Sequence, residues 1–195
     1  HPEIGLAIVE GLVESLLRRK LADEVPAHVL TVLRKDLAQL IATLPSETVW
    51  KLLRSGSPHA QELGGVLIGN LPTSSLEIEE IVELGSHPVV TVRRAAWEMF
   101  ERDSARVQAS LAAAAKLCDS TWLDTREFAF RYFRQVPAER FDAEVLVAII
   151  DSVKDDVQSF GRELAARVFR DEDGPTLLLR LSEHPQRAVQ LFATN

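Results

Sequence analysis

Cysteine is nearly absent: Cys118 is the only one in 195 residues. One cysteine excludes an intramolecular disulfide and a thiolate zinc cluster, and it fits a reducing compartment such as the cytoplasm. Glycine and proline number nine each, and no long Val/Ile/Thr/Tyr alternation of the kind strands need is present. Long apolar runs are missing too. Val145 to Ile150 is among the longest, far short of the ~20 residues that span a bilayer as a helix. No segment reads as a signal peptide. Positive charge is the scarcer sign, with 22 Lys and Arg against 29 Asp and Glu and a net charge of −7. A domain built mainly to hold a nucleic-acid backbone is usually basic, so the balance disfavours that role.

What is present is helical. Leu, Ala, Val, Glu and Arg dominate, hydrophobic residues make up 46% and charged residues 26%, which is an ordered, helix-forming mixture. Five segments share a pattern: a small or β-branched residue, Arg or Gln, any residue, Leu, Phe or Ala, then Ala or Gly. They are Ala60–Gly64, Val92–Ala96, Thr125–Ala129, Gly161–Ala165 and Val189–Ala193. Their Arg/Gln positions are 61, 93, 126, 162 and 190, giving steps of 32, 33, 36 and 28. Four residues after the small residue stands a large apolar one: Ile68, Phe100, Phe133 and Phe169. Pro58, Pro88 and Pro185 precede three copies, where proline suits a helix start. Asp119-Ser120 and Asp155-Asp156 precede the others as N-cap types. A second apolar helix lies upstream of each turn, around Thr48–Leu53, Leu76–Leu84, Val107–Leu117, Glu144–Val153 and Thr176–Ser182. Two helices in 28–36 residues make a helical hairpin. At 100° per residue, Val92, Ala96, Met99 and Phe100 share a face, and stacked hairpins would bury it.

These residues resemble the HEAT-repeat family over residues 55–195, with VRRAA behind its proline turn the nearest match. The resemblance implies an all-α, right-handed solenoid of antiparallel hairpins whose second helices line a concave side. It also implies that the motif arginine pairs with an acid of a neighbouring turn, which carries onto Arg93, Arg126 and Arg162; Gln61 and Gln190 depart from it. Residues 1–54 lack the repeat and read as capping helices, Pro2 to Ala22, Pro26 to Leu44 and a short one from Ser46. The whole is expected to be one domain and a fragment of a longer protein. The last copy stops before its large apolar residue, so Leu191 and Phe192 are expected to mediate self-association or to meet further chain.

No metal site, cofactor or catalytic residue is expected. His59, His87 and His184 sit in different repeats beside prolines and read as turn residues rather than converging ligands. The His-Glu pairs of the iron-binding HEAT-fold hydroxylases are missing. Gly64-Gly65 lies in a helical pattern and is read as close packing or a kink, not a phosphate loop. Glu77, Glu79, Glu80 and Glu83 read as a solvated face. Asp151/Asp155/Asp156 and Asp171/Glu172/Asp173 lie near turns. The candidate binding surface is basic: Arg94, with Arg102 near it, then Arg131 and Arg134, then Arg167 and Arg170, expected along the concave side. Glu127 and Glu163 stand four residues before Arg131 and Arg167 and could pair with them; Arg134 and Arg170 have no such acid. The expected function is a non-catalytic cytoplasmic scaffold for a partner protein or peptide. The alternative is a DNA-binding or repair module, because Thr121 to Glu127 is similar to the Trp/Asp segment of the HEAT-like alkylpurine DNA glycosylases. There Glu127 would stand at the catalytic acid's position, and Leu123 replaces an aromatic.

Overall fold

The computed structural model describes residues 2–18, 24–169 and 174–194. Among these the chain is all-helical, without a strand. The α-helices are α1 (Pro2–Leu17), α2 (Glu24–Lys35), α3 (Ala38–Ile41), α4 (Ser46–Leu53), α5 (Pro58–Ile68), α6 (Ile78–Gly85), α7 (Val90–Arg102), α8 (Ser104–Ala109), α9 (Leu111–Ala115), α10 (Leu123–Gln135), α11 (Ala143–Ile150), α12 (Asp155–Val168), α13 (Gly174–Ser182) and α14 (Arg187–Thr194). None is long and apolar enough to cross a membrane.

The helix boundaries follow capping chemistry. Ser57 stands before Pro58, and its hydroxyl accepts from the Ala60 N–H at 3.3 Å. Asp142 does the same for Val145 at 2.8 Å. Glu80 reaches back to the Glu77 N–H at 2.8 Å. Each satisfies a donor that the first turn leaves unpaired.

Two expected helices are broken. The stretch from Pro26 ends at Lys35, where the Asp36 and Leu37 N–H groups both reach the Val32 carbonyl and the chain turns before α3. Val107 to Leu117 is split at Ser110, which has a non-helical φ of −119° and ψ of 46°. A 3-10 turn, Lys116–Asp119, follows α9. The stretch expected to end the first helix at Ala22 lies partly outside the described residues.

Packing divides the chain into two units. The first comprises His1–Leu76 and His87–Met99. In it α4 and α5 form a hairpin, and α1 and α2 pack on each other and on α5. Its core includes Val13, Leu16, Leu33, Leu52, Leu63 and Ile68. The second comprises Glu77–Ser86 and Phe100–Asn195. Here α6 packs on α9, α9 on α11 and α11 on α13, while α10 packs on α12. Phe100 stands edge-on to Phe128 and Tyr132, with centroids 6.2 and 5.5 Å away. Such pairs add about 0.5–1.5 kcal/mol each beyond burial.

Gly64 is a packing glycine: a Cβ there would lie 2.9 Å from Leu53 Cγ and 3.1 Å from Leu53 N. Gly65 is tighter, with a Cβ 2.7 Å from Val92 N. The helix α5 continues through both, so close approach, rather than a kink, is what they provide.

Candidate functional site

Five turns among the described residues are built alike. Each contains a Ser or His whose side chain accepts from the backbone N–H two residues on. Ser55 accepts from Ser57 N at 3.3 Å, His87 Nδ1 from Val89 N at 3.1 Å and Ser120 from Trp122 N at 3.3 Å. Ser152 accepts from Lys154 N and His184 Nδ1 from Gln186 N, both at 3.1 Å. The carbonyl of that same residue accepts from an Arg or Gln six residues on: Gln61 at 2.8 Å, Arg93 at 2.9 Å, Arg126 at 3.0 Å, Gln158 at 2.6 Å and Gln190 at 2.7 Å. The side chain thus closes the turn from one side and the long residue closes it from the other.

The fourth member is Gln158, which corrects the motif at Gly161–Ala165. Val157-Gln158-Ser159-Phe160-Gly161 is the true fourth copy, one helical turn earlier, and the steps become 32, 33, 32 and 32. Gly161 confirms the register. A Cβ there would meet Ile150 Cγ1 at 2.8 Å and Ile150 N at 3.0 Å, as one at Gly64 would meet Leu53 eleven residues earlier. The large apolar position is therefore held by the buried Ala165; Phe169 lies past the end of α12 and is 42% exposed. Arg162 leaves the ladder and bonds Ser159 Oγ at 3.2 Å. The turn before α12 is Asp151-Ser152, with Asp155 and Asp156 inside the first helical turn.

Successive turns are tied together within each unit. In the first, the His87 ring bonds the backbone of Leu53. In the second, Ser86 bonds Ser120, Ser152 donates to Asp119 at 2.7 Å, and His184 Nε2 lies 3.0 Å from Asp151 Oδ1. Lys154 adds an ion pair to Asp119 at 2.8 Å. Partial burial raises the Asp119 pKa, but the bonds from Lys154 and Ser152 outweigh it and hold the carboxyl below its ordinary range. The expected acid partner of the motif arginine is found at Arg126, whose Nε meets Asp156 at 2.7 Å. Arg93, 5% exposed, bonds the carbonyls of its own turn, His87 and Pro88. His87 and His184 are turn residues as expected, whereas His59 lies in the first turn of α5.

The basic surface is partly spent inside the molecule. Arg134 has no acid four residues earlier, yet Glu163 of α12 takes it bidentately at 2.8 and 2.9 Å. That bond lowers the Glu163 pKa and raises that of Arg134. Arg134 also lies over the Phe160 ring, 5.3 Å from its centroid. Arg167 does not pair with Glu163. It reaches the end of α10, bonding the carbonyls of Arg134, Phe133 and Val136, where a cation complements the C-terminal dipole. The corrected register explains this: Arg131 and Arg134 stand opposite Glu163 and Ala166, not opposite Arg167 and Arg170. Arg170 and the acids at 171–173 lie outside the described residues. Arg94 and Arg131 are exposed and make no ion pair with a described residue, Arg131 lying over the Phe128 ring.

The remaining candidates are placed as follows. Trp122 donates its indole N–H to the Ser86 carbonyl at 3.0 Å, and Glu127 and Leu123 are exposed. Glu77, Glu79, Glu80 and Glu83 are all exposed, a solvated face. Among the described residues no group of three or more His, Cys, Asp or Glu is placed to hold a metal. Burial pushes the Cys118 thiol up, away from the reactive thiolate. Leu191 is half-exposed and Phe192 partly so.

No family model and no curated protein matches the chain. Among solved structures it is similar to an engineered protein determined by crystallography as a Northeast Structural Genomics Consortium target. The identity is 22% over 95% of this chain and 93% of that one, at a TM-score of 0.36. A superposition that loose carries no argument about fold or function.

Proposed function

We propose that the chain is a right-handed α-solenoid of HEAT-like hairpins acting as a non-catalytic cytoplasmic scaffold, with a partner protein or peptide held along the exposed sides of the second helices α10 and α12. The observation that carries this reading is the five-fold turn ladder. Its repeat of 32–33 residues, its two-sided closure and its ties to neighbouring turns are what a stack of equivalent hairpins requires. The ladder and the α10–α12 pairings also employ Asp119, His184, Arg126, Arg134 and Glu163 in bonds that hold turns and helices together. Arg131, exposed and without an ion pair to a described residue, is a cation of that helix face left to meet acidic groups of a partner.

The test is capture of partners from native lysate by wild type and by an Arg131→Glu variant, with and without nuclease. The expected result is a nuclease-resistant partner whose capture falls at least about tenfold in the variant, since buried or well-placed charge pairs contribute about 1.5 kcal/mol or more each. Melting should be unchanged, because exposed substitutions usually stay within about 0.5 kcal/mol. Capture that vanishes with nuclease points instead to the DNA-binding reading, and capture unaffected by charge reversal removes this helix face from the function.

A further inference from the structure

In the second unit the first helices share one stripe of four positions. Counted back from the residue that closes the turn after each helix, His87, Ser120, Ser152 or His184, the positions lie nine, six, five and two residues earlier. In α6 they are Ile78, Ile81, Val82 and Gly85, and in α9 with its 3-10 turn Leu111, Ala114, Ala115 and Cys118; all of these are buried. In α11 Leu146 and Ile150 are buried, with Ala143 and Val147 half-buried. In α13 the four are Pro175, Leu178, Leu179 and Ser182, and all are exposed, Leu178 at 39% and Leu179 at 59%. The other side of α13 is closed, since Gly174, Leu177 and Leu181 are buried.

Packing explains the difference. Helix α6 lies against α9, α9 against α11 and α11 against α13, so each earlier stripe has a following first helix to cover it. Among the described residues α13 has none. What covers this stripe elsewhere in the unit is the apolar side of another helix, not a charged ligand. The bare copy keeps the same character. It holds no charged residue, and Ser182 spends its hydroxyl on the Leu179 carbonyl at 2.8 Å. Arg180 lies on the opposite side of the helix, bonded to Glu144 at 3.1 Å, and Glu183 stands at the edge. The stripe also fits itself. Its gaps of three, one and three residues read the same in both directions. Two copies of α13 laid antiparallel therefore set Leu178 against the partner's Leu179 and Pro175 against the partner's Ser182. An interface in which both copies use the same patch closes at two.

We propose that the α13 stripe pairs antiparallel with that of a second copy, making a two-fold dimer centred on Leu178 and Leu179. One short helix buries far less than the roughly 1,200 Å² of a stable interface, so the dimer is weak, with a Kd of about 0.1–1 mM. It does not rest on the reading given for the second-helix face, and Arg131→Glu should leave it intact. The test is sedimentation of the chain up to about 1 mM, beside amide NMR of the ¹⁵N-labelled chain on dilution. The expected result is a mass that rises from monomer towards dimer and no further, undiminished by salt, with dilution shifts strongest in residues 174–183. Leu178→Ser/Leu179→Ser should abolish the rise, with unchanged amide positions in α6, α9 and α11 certifying its fold. Leu179→Cys, which keeps an apolar side chain beside the two-fold axis, should cross-link to its own copy on mild oxidation; Cys118 is buried and does not compete. Leu191→Glu should leave the dimer intact, since Leu191 stands where the earlier second helices carry the exposed Glu127 and Ser159. A chain that stays monomeric, growth past the dimer, failure of Leu179→Cys to cross-link, or association lost in Leu191→Glu or Ile4→Glu/Ile8→Glu and kept in Leu178→Ser/Leu179→Ser would overturn the assignment.

Discussion

His87 accepts from the Val89 N–H with Nδ1, so its proton belongs on Nε2, which faces the Leu53 backbone. A second proton on the ring would remove the acceptor that closes the turn. Burial is the main reason that its pKa lies below 6.5, and the Arg93 charge beside it lowers it further, against the raising effect of the Leu53 bond. The unfolded chain therefore binds more protons than the folded one. The contribution is fully present above the unfolded value near 6.5 and is lost as pH falls towards the lower folded value. Serine holds the same position in three of the five turns, so His87→Ser should keep the cap and remove this pH dependence. Urea midpoints at pH 7.5 and 5.5 read it: the wild type should lose more than the variant on acidification, and parallel losses would refute the role. Two glycines give opposite expectations at the same scale. Gly65→Ala places a methyl 2.7 Å from Val92 N and should destabilise by at least about 1–3 kcal/mol. Gly11, inside α1 with nothing within 4 Å of a Cβ, should gain about 0.5–1 kcal/mol as alanine. Thermal melts of the two variants should move in opposite directions.

At the scale of the element, the helices were legible because apolar period, proline turns and N-cap residues agree with one another, and nine of the ten expected hairpin helices follow from them, the tenth being split at Ser110. The fourth motif shows where that signal fails. A helix repeats its faces every 3.6 residues, so Val157–Gly161 and Gly161–Ala165 present nearly the same pattern one turn apart. The turn decides between them: Ser152 sits six residues before Gln158, as Ser120 sits before Arg126. The Arg134–Glu163 pair was out of reach for another reason. Its partners are 29 residues apart, and their meeting depends on the register that the pattern left ambiguous. Substitution separates the two registers. Gln158→Ala leaves the Ser152 carbonyl short of a donor and should cost about 1–2 kcal/mol, whereas Arg162→Ala should stay within about 0.5 kcal/mol. The reverse order in chemical denaturation would restore the original phase.

For the molecule as a whole, the turn ladder makes a statement about cooperativity. In a stacked array each hairpin is stabilised by its neighbours, and damage spreads along the chain with falling effect; in a single interlocked core it spreads evenly. Phe133 tests this. It is fully buried, meets Tyr132 and Phe141 edge-on, and its truncation to alanine should cost about 3–5 kcal/mol. Under the array reading, hydrogen exchange of Phe133→Ala should show the greatest loss of protection in α10, α11 and α12, less in α6 and α13, and least in α1 and α2. Local opening of this kind is measured amide by amide, so the gradient is visible even when one melting curve is not resolved into steps. A uniform loss from α1 to α14 would mean one cooperative core, and the solenoid reading, together with the helix face drawn from it, would have to be given up.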